Sequence, residues 1–424
     1  MIGFLVKGLF RDRHRSLFPV LTVSLGVMLT VLMHCFIAGM LGDMVDLNAR
    51  FSTGHVKVVT RAYAENIDQL PNDLSILGAG ALSDKLSKNF PDMIWVNRIR
   101  FGGLVDVPDE NGETRAQGPA LGLAMDLLNE ESIEKDRLNL TESIVRGRLP
   151  GRTGEILISD DFAKKLKVEP GDNLTIIGST MYGSMAMQNF IISGTVRFGV
   201  QVMDRGAVII DLKDGQRLLD MEDASGEILG YFKNNSYDDQ KATETVERFK
   251  LISENPKDEF SPVMLKLKDQ NDLAGMLDYI SRMTGIFIGV FLAAMSIVLW
   301  NSGLLGGLRR YGEVGVRLAF GEPKGHVFRS MIMESLFIGF FGSIIGTMIG
   351  LIISYIIQVY GLDFSSAMKN ATIMMPSVFR TQITTPAYFV GLIPGLFSTV
   401  LGTSLAGIGI YQRKTAQLFK ELEQ

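Results

Sequence analysis

The chain is 424 residues long, with 46% hydrophobic and 21% charged residues and a formal net charge of −4. That composition is more apolar than an ordinary soluble protein of this size carries, and it offers no basic excess to hold nucleic acid. The single cysteine, Cys35, can form no intrachain disulfide.

Four stretches, residues 17–41, 285–308, 335–359 and 387–410, contain no Asp, Glu, Lys or Arg. Each is long enough to cross a bilayer as a helix. A buried core helix would account for one such run, but long core helices usually keep a polar face, so four runs require a membrane. The expected fold is a membrane protein with four transmembrane helices and a large α+β extracytoplasmic domain between the first and second helices.

Residues 1–16 form a short segment with Lys7, Arg11, Arg13 and Arg15 ahead of the first span. A cleaved signal peptide does not fit, because the apolar stretch is too long and no small-x-small site follows before Asp43. His34 is the one ionisable group within the span, and it is expected as a neutral imidazole bonded to a neighbouring helix. Residues 42–284 then carry strand and turn punctuation of their own. "HVKVV" (55–59), "EILIS" (155–159), "NLTIIG" (173–178), "NFIISGTV" (189–196) and "AVIIDL" (207–212) read as strands. Residues 239–254 and 272–284 read as helices, the second capped by Asn271 or Asp272. Two lobes are expected, with the β-rich one at about 118–215.

No Gly/Pro breaker separates the 272–284 helix from the span at 285–308, so one rod over residues 272–308 is expected, about 55 Å long. Residues 309–334 follow as a compact, mostly basic connection. Arg310, Glu313 and Arg317 fall at i, i+3 and i+7 of a helix, with Val314 and Leu318 beside them and Gly315 among them. Gly321 supplies the left-handed residue that ends a helix, and Pro323 prevents its continuation. Docking on a soluble partner and contact with lipid headgroups both suit such a helix.

In the third span Gly342, Gly346 and Gly350 recur every four residues, which lets helix backbones approach closely; packing on the second or fourth span is expected. Residues 360–386 form a short loop with only Lys369 and Arg380, and 411–424 a tail with Arg413, Lys414 and Lys420. The concentration of Lys and Arg in 1–16, 309–329 and the tail places both termini in the cytoplasm, in a multi-pass protein of the inner (cytoplasmic) membrane.

Chemistry-bearing motifs are scarce. There is no GxxxxGK[ST] loop, no GxSxG elbow and no pair of histidines at metal-ligand spacing, so no cofactor and no catalytic residue is expected on this chain. Asp160/Asp161 and Asp238/Asp239 read as caps or solvated turns. Without intramembrane carboxylates, ion-coupled transport has no mid-membrane ligands.

"YGEVGVRLAFGEPKGHVFRSMIMES" resembles the R-E-[IV]-G-[IV]-R-x-A-x-G signature of the permease family that includes the macrolide exporter MacB, the lipoprotein-releasing LolC and LolE, and the cell-division protein FtsX. Glu313, Gly315, Arg317, Ala319 and Gly321 match it; Tyr311-Gly312 departs where Arg or Lys is usual, and Glu322 stands where the family often has Ala. "STGHVKVVTRAYAEN" and "GRLPGRTGEILISDDFAKKLKVEPGDNLTIIG" are similar to the family's outer domain. The resemblance implies an ATP-driven mechanotransmission permease whose coupling residues, Arg310, Glu313, Gly315, Arg317 and Gly321, meet a cytoplasmic ABC ATPase dimer that holds the ATP. It further implies a second permease chain, identical or homologous, lipid contact, and a periplasmic carrier or adaptor protein. Release of lipoproteins or other amphiphiles from the outer leaflet is the favoured activity. MacB-like export of peptides or small hydrophobic molecules and FtsX-like control of a cell-wall hydrolase are the alternatives.

One loop stands out on composition. Between "NLTII" and "FIISGTV" about eleven residues intervene where a hairpin needs two to five, and Met181, Tyr182, Met185 and Met187 lie among them without a charge. The matching position in LolC holds a protruding loop that recruits the lipoprotein carrier. Docking of a soluble acceptor or substrate, and folding back onto the β lobe or onto the partner permease, are both open.

Overall fold

A computed structural model of the chain describes residues 13–253, 257–270, 273–308, 311–364 and 378–412. Arg310, Asn271, Asp272, most of the 1–16 segment, the centre of the 360–386 loop and nearly all of the tail lie outside the described residues. The chain divides into two compact units: Met1–Gly42 with Asp278–Leu362 and Phe379–Gln424, and Asp43–Leu277 with Asp363–Val378.

In the first unit the helix Arg13–Asn48 packs along the helix Lys324–Tyr360. Val23, Val27 and Val31, four residues apart and all buried, face Gly342, Gly346 and Gly350. A Cβ on Gly342 would stand 2.7 Å from Val23 Cβ, and one on Gly350 would stand 3.0 Å from Val31 Cβ. The glycine stripe therefore packs on the first helix, not on the second or fourth span as expected. Valine explains the choice: its branched Cβ fills the groove that three glycines open, and it holds one rotamer in a helix.

The fourth apolar run is broken. A 3₁₀ turn at Thr385–Tyr388 precedes a π-helical turn at Ile393–Phe397, and regular α-helix covers only Ser398–Gln412. Pro394 has no N–H to complete the α ladder, so the chain widens to a π turn around it. His34 finds its partner near this point: its Nε2 lies 3.0 Å from Thr384 Oγ1, in the segment before the 3₁₀ turn and not on a neighbouring helix. The same segment runs against the first helix, where Gln382 N–H donates to Cys35 O at 2.9 Å. Gly39 permits this approach, since a Cβ there would collide with the Arg380 carbonyl and stand 2.8 Å from Thr381 Cα.

Among the described residues two helices, Leu17–Thr53 and Lys324–Tyr360, are long and apolar enough to cross a membrane. Leu273–Leu308 is one continuous α-helix, about 54 Å long at 1.5 Å per residue.

The second unit is α+β. Pro262–Lys266, Val56–Thr60, Glu227–Phe232 and the start of Met93–Pro108 form an antiparallel sheet in that order. One face, with Val56, Val58, Ile228 and Met264, is covered by the helices Ala79–Asn89 and Asp239–Ser253 through Leu86, Val246 and Phe249. Met93–Pro108 then continues into a barrel. It pairs with Thr114–Met125, then Ala207–Asp211, Glu155–Ser159, Met185–Val196 and Asn173–Ser179 follow in turn, and the last pairs back onto Met93–Pro108. Six strands thus close on themselves around a packed interior of Val105, Ile156, Ile158, Phe190, Val208 and Ile210. Alternate residues Leu123, Leu157, Val196 and Ile209 form a second core outside the barrel, so Glu155–Ser159 is buried on both faces and reads as a continuous apolar run. The barrel begins within Met93–Pro108, not at about 118.

Candidate coupling and docking sites

The connection between the second and third apolar runs folds as the helix Tyr311–Ala319, a left-handed Gly321 with φ +89°, and the helix Lys324–Tyr360 with Pro323 at its N-cap. Val314, Val327 and Met331 are buried together with Leu318 against them, which fixes the short helix to the start of the long one. Gly315 is buried as well.

The polar side of this turn is organised by a residue that sequence reading had noted only as a departure. Arg317 Nε donates to Glu322 Oε2 at 2.7 Å and Nη2 to Oε1 at 2.8 Å, a bidentate pair, and His326 Nδ1 lies 2.6 Å from Glu322 Oε1. Hydrogen bonds from Arg317 first, then from His326, hold the Glu322 carboxyl below the usual carboxylate range. Arg317 is therefore turned onto its own turn. The i, i+4 spacing of Glu322 and His326 was the available signal.

The apolar loop expected at 178–190 is mostly strand. Ser179 pairs with Met185, Gly178 with Ala186 and Ile177 with Met187, leaving a turn of residues 180–184 in which Thr180 N–H donates to Ser184 O at 2.8 Å. Gly183, φ +80°, takes the left-handed position the turn needs. Met181 belongs to the barrel core, 9% exposed, and its N–H donates to Leu219 O. Tyr182, Met185 and Met187 project into solvent at 73%, 77% and 62% exposure. Three of the four expected docking residues thus form an exposed apolar ridge, and the fourth is core.

A buried ionic cluster escaped sequence reading. On the sheet face opposite Val56 and Val58, Glu227 receives Lys57 Nζ at 3.0 Å, Tyr63 Oη at 3.2 Å and the Arg100 guanidinium. Beside it Arg98 grips Glu134 with both arms, at 2.8 and 2.6 Å. These side chains also cap the π-helical turn Ala49–Thr53: Arg98 Nη1 donates to Arg50 O, Tyr231 Oη to Ala49 O and Gln270 Nε2 to Thr53 O. Burial alone would raise the Glu227 carboxyl, but Arg100 and Lys57 outweigh it and hold the group ionised. Burial lowers Lys57 to about 7, with Glu227 offsetting part of that shift. In sequence, Lys57 and Glu227 look like ordinary solvent-facing positions of alternating strands, which is why the pattern gave no warning.

Helix Tyr311–Ala319, its glycine stop and the long apolar helix after it lie within the part of the chain that matches a known family. Residues 285–415 match the FtsX-like permease C-terminal family. An uncharacterized ABC transporter permease of Methanocaldococcus jannaschii is 24% identical over 207 residues, 48% of this chain and 49% of that protein. The macrolide export ATP-binding/permease protein MacB of Mannheimia succiniciproducens is 29% identical over 97 residues, 23% of this chain and 15% of that one. The crystal structure of the periplasmic region of MacB from Actinobacillus actinomycetemcomitans aligns with a TM-score of 0.36 at 10% identity, over 54% of this chain and 96% of that one. These likenesses are to ABC transporter permeases of the MacB and FtsX type, and the chain spans about half the length of the first of these relatives and less of the second.

Proposed function

We propose that the chain is the permease subunit of an ATP-driven transporter that works by mechanotransmission. It would sit in the inner membrane with four spans and both termini in the cytoplasm, and act beside a second, identical or homologous permease. ATP would be bound and hydrolysed by a separate ABC ATPase dimer seated on the turn at 311–326, and no cofactor would sit on this chain. The observation that carries this reading is the FtsX-like match over 285–415, which includes the internally braced turn of Arg317, Glu322 and His326. The unbroken helix Leu273–Leu308 supports transmission of a stroke along the chain.

For the substrate, extraction of lipoproteins or similar amphiphiles from the outer leaflet fits the exposed Tyr182, Met185 and Met187 ridge as the seat of a periplasmic carrier. Export of peptides or small hydrophobic molecules is the second reading, favoured by the relative named for macrolide export. Cells depleted of this chain separate the two: retention of lipoproteins in the inner membrane supports release, and macrolide sensitivity with normal lipoprotein sorting supports export. Replacing Tyr182, Met185 and Met187 with Ser should abolish delivery while the barrel still folds, because none of the three is core; unimpaired delivery would remove the ridge from the reading.

A further inference from the structure

Two segments far apart in sequence border the sheet face at Gly102, and both are held by hydrogen bonds of their own. In residues 66–75, Asn72 Nδ2 donates to Arg100 O at 3.3 Å, Thr60 Oγ1 to Leu74 O at 2.5 Å and Leu70 N–H to Ile67 O at 3.3 Å. Leu70 sits there at φ 51° and ψ 56°, a left-handed conformation that a leucine keeps only where its surroundings impose it. In the hairpin turn, Thr180 N–H donates to Ser184 O at 2.8 Å, Ser184 N–H to Thr180 Oγ1 at 3.1 Å and Met181 N–H to Leu219 O at 2.8 Å.

Between these segments lies a cleft of about 600 Å³. Phe101 and Gly102 belong to its lining, and a Cβ built on Gly102 meets nothing within 4 Å, so the sheet face is bare there. Gln69, Asn72 and Asp73 come from one wall, and Ser179, Thr180 and the exposed Tyr182 from the other. Among the described residues of the lining Asp73 is the charged one, and none is Lys, Arg or His.

We propose that this cleft binds a short neutral saccharide, laid on the bare sheet face at Gly102 against the Tyr182 ring. A phosphate or carboxylate ligand would need a cation to pair with, and the lining offers only the negative charge of Asp73. A purely apolar ligand would strip water from the amide, hydroxyl and carboxylate groups of both walls without replacing their hydrogen bonds. A neutral ligand dense in hydroxyls meets both conditions, because each hydroxyl donates and accepts, as do the Gln69 amide and the Ser179 and Thr180 hydroxyls, while Asp73 accepts. Thr180 Oγ1 already accepts from the Ser184 N–H, which leaves its own hydrogen for the ligand. Tyr182 adds a flat apolar body with a polar tip, which suits the C–H face of a sugar ring. The volume lies in the range of small-ligand sites, and walls fixed in advance reduce the ordering cost of binding. The inference rests on this cleft and does not depend on what the permease transports.

The test uses the purified full chain in nanodiscs and saturation-transfer NMR with chitotriose, cellotriose and maltotriose, and with sialyllactose as the anionic comparator. Wild type is expected to transfer saturation to at least one of the neutral trisaccharides and not to sialyllactose. Gly102→Trp, whose ring would occupy the space above the sheet face, should weaken binding by at least about tenfold. A thermal midpoint matching wild type shows that this variant is folded; should it unfold, Gln69→Ala with Tyr182→Ala removes contacts from two exposed positions and should give a loss of the same size. The proposal is overturned if no neutral trisaccharide receives saturation beyond that given by empty nanodiscs, if sialyllactose binds as well as they do, or if the folded variant binds them as wild type does.

Discussion

Val27 Cβ lies 2.9 Å from the position a Cβ would take on Gly346, and Val27 is completely buried between the helix that carries Gly346 and the segment that carries Gly391 and Gly395. Two chain regions more than three hundred residues apart therefore meet on a contact that any larger residue at 346 would destroy.

Gly346→Leu should lower the yield of assembled permease in detergent extracts. The milder Gly346→Ala should cost about 1–3 kcal/mol by overpacking, because its Cβ would collide with Ser24 O and stand 2.9 Å from Val27 Cβ. The thermal midpoint of the purified chain reads that cost, and a midpoint unchanged from wild type would refute the packing.

Gly39→Val should displace the segment carrying Arg380 and Thr381, because the added side chain meets that backbone and not a flexible neighbour. The readout is limited proteolysis: cleavage near residue 380 should rise in Gly39→Val and, to a lesser degree, in Gly39→Ser, since even Ser carries the Cβ. Equal protection in Val, Ser and wild type contradicts the contact.

Arg98→Met should destabilise the second unit by about 3–5 kcal/mol, since it leaves Glu134 buried without its partner. Arg98→Lys should not restore it, because a single ammonium cannot make the two-armed grip. Arg98→Met with Glu134→Leu should recover most of the loss. A recovery of less than a quarter would mean that the cap on Arg50 O, not the ion pair, dominates.

Stability should depend on pH through Lys57. Its folded value of about 7 lies below the ordinary 10.5, so between these limits the unfolded chain binds more protons and stability rises with pH. The contribution is complete above 10.5, is lost progressively as pH falls to 7, and is absent below. Trp95, whose indole lies in the second unit, reports unfolding by fluorescence; Lys57→Met should flatten the slope between pH 7 and 10, and an unchanged slope would assign it elsewhere.

How much was legible follows from what each signal measures. Glu155–Ser159 and Ala207–Asp211 stood out as β-branched runs because burial on both faces leaves no polar alternation to confuse them. The short helix Tyr311–Ala319 and its stop were legible from Gly321 and Pro323, which act through local backbone geometry. The hairpin was misread because Met185, Ala186 and Met187 are not strand formers by propensity; pairing with Ile177 and Gly178 decides their conformation. Barrel closure joins residues 104–106 to 175–177, and local pattern carries no information about such a pair. The glycine stripe revealed a packing face but not its partner, because small residues say how close a helix comes and not which helix it is.

The central claim is that the turn at 311–326 couples this permease to a separate ATPase, and vanadate-sensitive ATP hydrolysis co-purifying with the chain tests it most directly. Wild type should carry that activity, Arg317→Glu should lose it by repelling Glu322 and opening the turn, and Arg317→Glu combined with Glu322→Arg should regain it. Arg317→Glu with undiminished ATPase recovery and activity would contradict the account.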